Sequence, residues 1–299
     1  LGATPLNLQS GLARISANGT GTWVSAATAS GDPSMAEVSI SAAPALSPDG
    51  SLLYVAVDNG SAGYLLALNS TTLALVHKVR LTDPSSGMDA FICDCSSATP
   101  TVGPDGDVYF GVLENPFPSH NDRGWLLHFS SDLSQTKIPG SFGWDDTASV
   151  VPASLVASYH GSSSYLLMTK YNNYGGVGTG DGKNRIAIID PNAIEKDPVI
   201  PSTQVMKEVI TILGVTPDPN YPGGVKEWCI NTAAIDPFTK SVLANSEDGN
   251  LYRWDLTANT LSEVITLSTG IGEAYTPTAI GSDGTAYAIN KAVLDAIGH

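Results

Sequence analysis

One design recurs along the chain and limits what it can fold into. Residues 44–80 (PALSPDGSLLYVAVDNGSAGYLLALNSTTLALVHKVR) read as an apolar strand, a Pro-Asp-Gly turn, an apolar strand, a Gly-containing turn, an alternating strand, a Ser/Thr turn and a final strand. The motif returns at residues 100–110 (PTVGPDGDVYF), 242–256 (VLANSEDGNLYRWDL) and 278–289 (TAIGSDGTAYAI). Runs of this length, bounded by turn residues and lacking a 3.6-residue period, predict short antiparallel strands. One unit of four such strands cannot bury both of its faces, whereas a ring of units can, so the repeat predicts an all-β fold, a β-propeller.

The units fall in order. Residues 12–16 and 22–26 form a strand pair that resembles the second half of a unit. Complete units follow at about 41–81, 97–140, from 150 onward and at 230–267, and residues 277–289 supply an inner half. The two terminal halves are expected to share one sheet and so close the ring, which leaves no terminal sheet with an unpaired edge. Inner strands starting near 43, 99, 150, 232 and 277 give five blades of four strands in a single domain spanning residues 1–299. A sixth blade fits only if residues 171–227 hold two sheets. Residues 204–213 read equally as an outer strand or a short helix, and residues 291–297 as a third strand or a terminal helix.

Composition narrows the partners. The 30 Gly and 19 Pro suit a chain of tight turns, and 29 acidic against 14 basic residues give a net charge of −15. Nucleic acid and anionic membrane surfaces are repelled by such a chain. No run of eighteen apolar residues exists, so no transmembrane segment is expected. Low lysine and abundant Ser, Thr, Asn and Gly point to a secreted, periplasmic or cell-surface setting. Cys229 stands in apolar sequence, while Cys93 and Cys95 flank Asp94. Buried thiols and a disulfide from Cys229 to one of that pair are both open readings.

The repeat resembles the PQQ-like, quinoprotein-type β-propeller family. The resemblance is carried by the turns Ser47-Pro48-Asp49-Gly50, Gly103-Pro104-Asp105-Gly106 and Gly281-Ser282-Asp283-Gly284. The strand pair around Asp248-Gly249 and the step Thr20-Gly21-Thr22-Trp23 add to it. It implies the fold more than the activity, because this fold hosts unrelated functions. Quinoprotein dehydrogenases of that type carry adjacent cysteines over the quinone and usually eight blades. Here Asp94 separates Cys93 from Cys95, so a redox enzyme is the least favoured outcome.

In a propeller the segment leading into each innermost strand lies at one mouth of the central channel. Here those segments carry Glu37, Asp89 with Asp94, Trp144-Asp145-Asp146, Glu227-Trp228 and Glu273-Ala274-Tyr275. Acids from several blades make Glu37, Asp89, Asp146, Glu227 and Glu273 candidate ligands for Ca²⁺, which takes six to eight oxygens. Two acids drawn from Asp145, Asp146, Glu227 and Glu273 are instead candidates for the acid–base pair of a glycosidase or lyase. Trp144, Trp228 and Tyr275 offer stacking faces for a saccharide, as do Tyr171 and Tyr174 in the Gly-rich stretch 171–183. Acids in such loops also simply cap turns. His120, beside Asn121 and Asp122, is a weaker candidate ligand or base. The leading expectation is non-catalytic recognition of a protein or carbohydrate. A carbohydrate-cleaving enzyme is the alternative.

Overall fold

The computed structural model describes residues 9–39, 42–92, 98–269 and 276–298. It is all-β apart from two short helical turns, and its strands form six separate antiparallel sheets. The first pairs β1 (Gly11–Ile15) with β2 (Gly21–Ser25), and helix α1 (Ala26–Ser30) follows. The second holds β3 (Glu37–Val38), β4 (Ala45–Leu46), β5 (Leu52–Asp58), β6 (Gly63–Asn69) and β7 (Leu75–Arg80). The third holds β8 (Thr101–Val102), β9 (Val108–Val112) and β10 (Trp125–Phe129). The fourth holds β11 (Ser149–Pro152), β12 (Tyr165–Tyr171), β13 (Arg185–Lys196) and β14 (Gln204–Leu213). The fifth holds β15 (Ala234–Asp236), β16 (Ser241–Asn245), β17 (Asn250–Asp255) and β18 (Thr260–Thr266). The last holds β19 (Ala279–Ile280), β20 (Ala286–Asn290) and β21 (Val293–Ile297).

The predicted turns are built as their residues dictate. Gly50, Gly106 and Gly284 adopt φ of 71°, 89° and 85°, a region that costs a Cβ-bearing residue energy. The aspartate before each accepts the N–H two residues on: Asp49 from Ser51 at 3.0 Å, Asp105 from Asp107 at 3.1 Å and Asp283 from Thr285 at 3.0 Å. The same hairpin is thus made three times by the same chemistry.

Strand parity assembles the sheets. Tyr54, Ala56, Leu65 and Ala67 face the third sheet and bury Val108, Phe110 and Trp125, while Val55, Val57, Leu66 and Leu68 face α1 and β1. Tyr109 and Leu126 turn the other way, onto Tyr165, Leu167 and Tyr171. Leu166, Met168, Ile186 and Ile188 pack on Trp228 and on Val242 and Trp254 of the fifth sheet, and Leu243 and Leu251 of that sheet meet Ala286 and Ala288 of the last. Period-two alternation therefore makes the central strands apolar on both faces, and the second to fifth sheets are each packed between their neighbours in chain order. Each fully buried Leu, Val or Phe in these layers contributes about 1.5–3 kcal/mol.

Two expectations change in detail, and two open alternatives are settled. Among the described residues the terminal strands are not paired in one sheet: β1 and β2 pair with each other, and β19–β21 form their own sheet. The N-terminal hairpin is held elsewhere, by the Val38 N–H donating to Ser10 Oγ at 2.9 Å and by Leu12 packing with Ala26, Ala29 and Met35. The expected fourth strand of the third sheet shrinks to isolated bridges from Leu126 to Gly140 and from Phe129 to Thr136. Pro139 has no N–H to donate there, and residues 130–135 are spent on a turn capped by Asp132. Residues 204–213 are strand, and the last apolar run is the third strand β21. β14 pairs along nearly the whole of β13, and its Val and Ile side chains suit a pleated surface.

Candidate functional site

Two of the segments singled out by position meet in one cleft. Asp145 and Trp144 enter it from the connection between the third and fourth sheets, and Glu227, Trp228 and Cys229 from that between the fourth and fifth. Asp122, Lys170 and Tyr174 complete the walls of a cavity of about 210 Å³. Expected ligand residues and unexpected ones thus stand together.

Each is fixed by its own local structure. Asn121 and Asp122 both take left-handed backbone, φ 59° and 61°, an arrangement costing about 1–3 kcal/mol per residue. Glu114 offsets it, because its carboxylate accepts the N–H groups of Asp122 at 2.8 Å and Gly124 at 2.8 Å. Trp144 is set by its N–H donating to Arg123 O at 3.0 Å. Trp228 is held by an amide clamp: its N–H donates to Asn172 Oδ1 and its carbonyl accepts from Asn172 Nδ2, both at 3.1 Å. The Trp228 ring meets Tyr252 edge-on at 5.5 Å, and its buried Nε1–H has no hydrogen-bond partner.

The site's electrostatics centre on Lys170, the penultimate residue of the apolar strand β12, which is almost wholly buried. Burial raises the Glu227 carboxyl to about 7, helped by repulsion from Glu247 and opposed by the Lys170 charge. Burial likewise raises Asp122 to about 6, with Glu114 and Asp145 adding repulsion and Lys170 again opposing. Asp146 is raised to about 7 by burial, against the pull of Lys170 and of the Thr169 hydroxyl that donates to it. Three carboxyls in the field of one ammonium therefore hold or release protons near neutrality, and the two that line the cleft, Asp122 and Glu227, are suited to hydrogen-bond donation or to proton transfer.

The remaining expected residues lie elsewhere. Glu37 is exposed on β3, its backbone paired with Asp58. Asp89 is bound bidentately by Arg80, at 2.7 and 2.9 Å. Glu273, Tyr275, Cys93, Asp94 and Cys95 lie outside the described residues. Among the described residues no three His, Cys, Asp or Glu side chains gather closely enough to hold a metal ion. Glu37, Asp89, Asp146 and Glu227 accordingly form no such group among the described residues, and Glu273, the fifth of the expected calcium ligands, lies outside them.

His120 has a structural task. It is fully buried, stacks on Trp125 at 3.8 Å, and bridges Gly124 O at 2.9 Å to the Asp197 carboxylate at 3.1 Å. Burial alone would raise Asp197, yet the bonds from His120, Ser141 and the Ile200 N–H hold it at about 2. The 113–124 loop is thereby riveted to the β13–β14 turn, with no open face on the imidazole. Tyr171 leaves the cleft for the opposite face of its sheet, where it packs with Phe142 and Leu126.

Lys170, Asp122 and Glu247 were not anticipated. A charged residue closing the run Tyr165-Leu166-Leu167-Met168-Thr169-Lys170-Tyr171, buried on both faces, is the signal that would have found Lys170.

No family model matches the chain, and no curated protein matches it. Among solved structures it is similar to the Dos1 propeller, with a TM-score of 0.52 and 16% identity over 97% of this chain and 64% of that one. It is also similar to a Kuenenia stuttgartiensis hydrazine synthase chain, with a TM-score of 0.50 and 13% identity over 85% of this chain and 70% of that one. BamB from Moraxella catarrhalis matches at a TM-score of 0.46 and 11% identity, over 85% of this chain and 56% of that one. The chain thus spans under two thirds of the Dos1 propeller chain. At these identities the likeness is one of fold: the protein has a β-propeller-like architecture related distantly to several propeller proteins, and the PQQ-like group is not singled out among them.

Proposed function

We propose that this propeller is a binding module whose cleft takes a neutral, hydroxyl-rich ligand, a saccharide unit, without cleaving it. The observation that carries this reading is the convergence of Trp144, Tyr174 and Trp228 with Asp122, Asp145, Glu227 and Lys170 on one small cavity. Aromatic faces cover the apolar face of a sugar ring, and carboxyls and an ammonium meet its hydroxyls. A secreted, periplasmic or cell-surface setting suits such a ligand and the chain's acidity. Descent from PQQ-like repeats, carried by the Pro-Asp-Gly and Ser-Asp-Gly turns, is part of the same reading.

A second reading rests on Asp122 and Glu227. Both titrate near neutrality, and the charge of Asp122 contributes to raising Glu227. That is the pairing a glycosidase needs between acid and base. Calorimetry and product analysis against a panel of neutral oligosaccharides separate the two. Recognition predicts saturable binding, lost on Trp144→Ala, with no new reducing ends. Cleavage predicts reducing ends that disappear in Glu227→Gln while binding survives. Absence of saturable binding across the panel, with intact folding, overturns both.

A further inference from the structure

Strand parity at the end of β12 creates a second cleft. Lys170 and Tyr174 line the acidic cavity, while Tyr171 and Asn173 project from the other face of the same segment into a separate cavity of about 220 Å³. Arg123, Lys183 and Arg185 converge there. Three of the chain's 14 basic residues thus share one small cleft in a protein of net charge −15.

Their bonding is incomplete. The Arg123 guanidinium is buried, and no ion pair among the described residues includes it, Lys183 or Arg185. Arg123 donates to Ser141 O at 2.9 Å, Asn172 O at 2.8 Å and Ser141 Oγ at 3.2 Å, which leaves two of its five N–H groups. It lies 4.2 Å from the Tyr171 ring centre, so that ring is held in place. The Tyr171 hydroxyl is buried with no hydrogen-bond partner, and the neighbouring Ser141 Oγ is already engaged, donating to Asp197 and accepting from Arg123. A buried guanidinium that no carboxylate touches directly and a buried hydroxyl without a partner are each costly, and one oxyanion relieves both. Asp181 and Glu208 also line the cleft, so three cations face two acids and the surplus is a single positive charge. That surplus suits a monoanion better than a phosphate dianion.

We propose that this second cleft binds a carboxylate, seated between Arg123 and Arg185 with the Tyr171 hydroxyl as a further donor. Arg185 offers the bidentate fork a carboxylate fits, and strand β13 fixes the backbone from which it reaches. The site does not depend on the saccharide reading of the acidic cavity.

Acetate titrated into the intact chain at constant ionic strength, with chloride as the control anion, tests this. Arginine Nε–Hε resonances and calorimetry are the readouts. Acetate is expected to saturate and to shift Arg185 and Arg123, with phosphate binding more weakly. Arg185→Gln should weaken acetate by about tenfold, the loss of one charge-assisted pair. Tyr171→Phe, which removes only the hydroxyl, should weaken it by about threefold, and Glu227→Gln should leave it unchanged. A response that chloride reproduces, phosphate binding tighter than acetate, or acetate affinity unaltered in Arg185→Gln would each overturn the proposal.

Discussion

Asn172 and Trp228 are joined as neighbouring strands would be, except that one partner is a side chain. The Asn172 amide accepts from the Trp228 N–H and donates to its carbonyl, both at 3.1 Å, across the gap between the fourth and fifth sheets. This rung fixes Trp228 and, beside it, Glu227 at the edge of the acidic cleft.

Asn172→Leu keeps the volume and removes both bonds. Two buried backbone groups of Trp228 then lose their partners, at a cost of about 1–3 kcal/mol each. Denaturant unfolding is expected to show a loss of about 2–4 kcal/mol. A loss below about 0.5 kcal/mol would mean that the clamp is not formed.

Asp146 gives the fold a pH dependence of unusual sign. Its folded pKa, about 7, lies above the ordinary aspartate value of 3.8, so the native state binds the extra proton between those limits. Its stabilising contribution is complete below about pH 4 and is lost as pH rises through 7. Asp146→Asn, which still accepts from the Thr169 hydroxyl, removes that slope. From pH 4 to pH 8 the variant should gain on the wild type by on the order of 4 kcal/mol. Parallel stability curves would refute this.

The layout of the site was partly legible, and the reason is physical. Turn aspartates and glycines act within a few residues of themselves, so the hairpins at 47–50, 103–106 and 281–284 announced the repeat and with it the segments that end at one face. Trp144, Asp145, Glu227 and Trp228 were reachable by that logic. What brings Lys170, Asp122 and Glu247 to them is packing between sheets far apart in sequence, which no local pattern encodes. Asp89 shows the converse. It stood at the expected position but answers to Arg80, a pairing set by strand register between β7 and the loop that follows it.

That Arg80–Asp89 pair makes a control. Both side chains are more than a third exposed, and exposed ion pairs contribute about 0–1 kcal/mol. Asp89→Ala is expected to change stability by no more than that and to leave ligand binding in the acidic cleft unaltered. A large loss of binding would restore Asp89 to the functional set.

Lys170 sets the protonation state of the acidic cleft. Its charge favours the ionised forms of Asp122, Asp146 and Glu227, opposing in each the burial that raises them. Lys170→Met leaves the aliphatic stem and removes the charge, so all three carboxyls should titrate higher, and Glu227 should be largely protonated at pH 7. Lys170→Arg should return them towards their original values, because the charge rather than the packing is responsible. Carboxyl-carbon NMR titration reads this directly. Unmoved titrations in Lys170→Met would place the ammonium outside the cleft's field. The same variant also bears on function: protonated carboxyls still donate hydrogen bonds to a sugar, so recognition should persist, whereas a reaction that needs one of them as a base should fail at neutral pH.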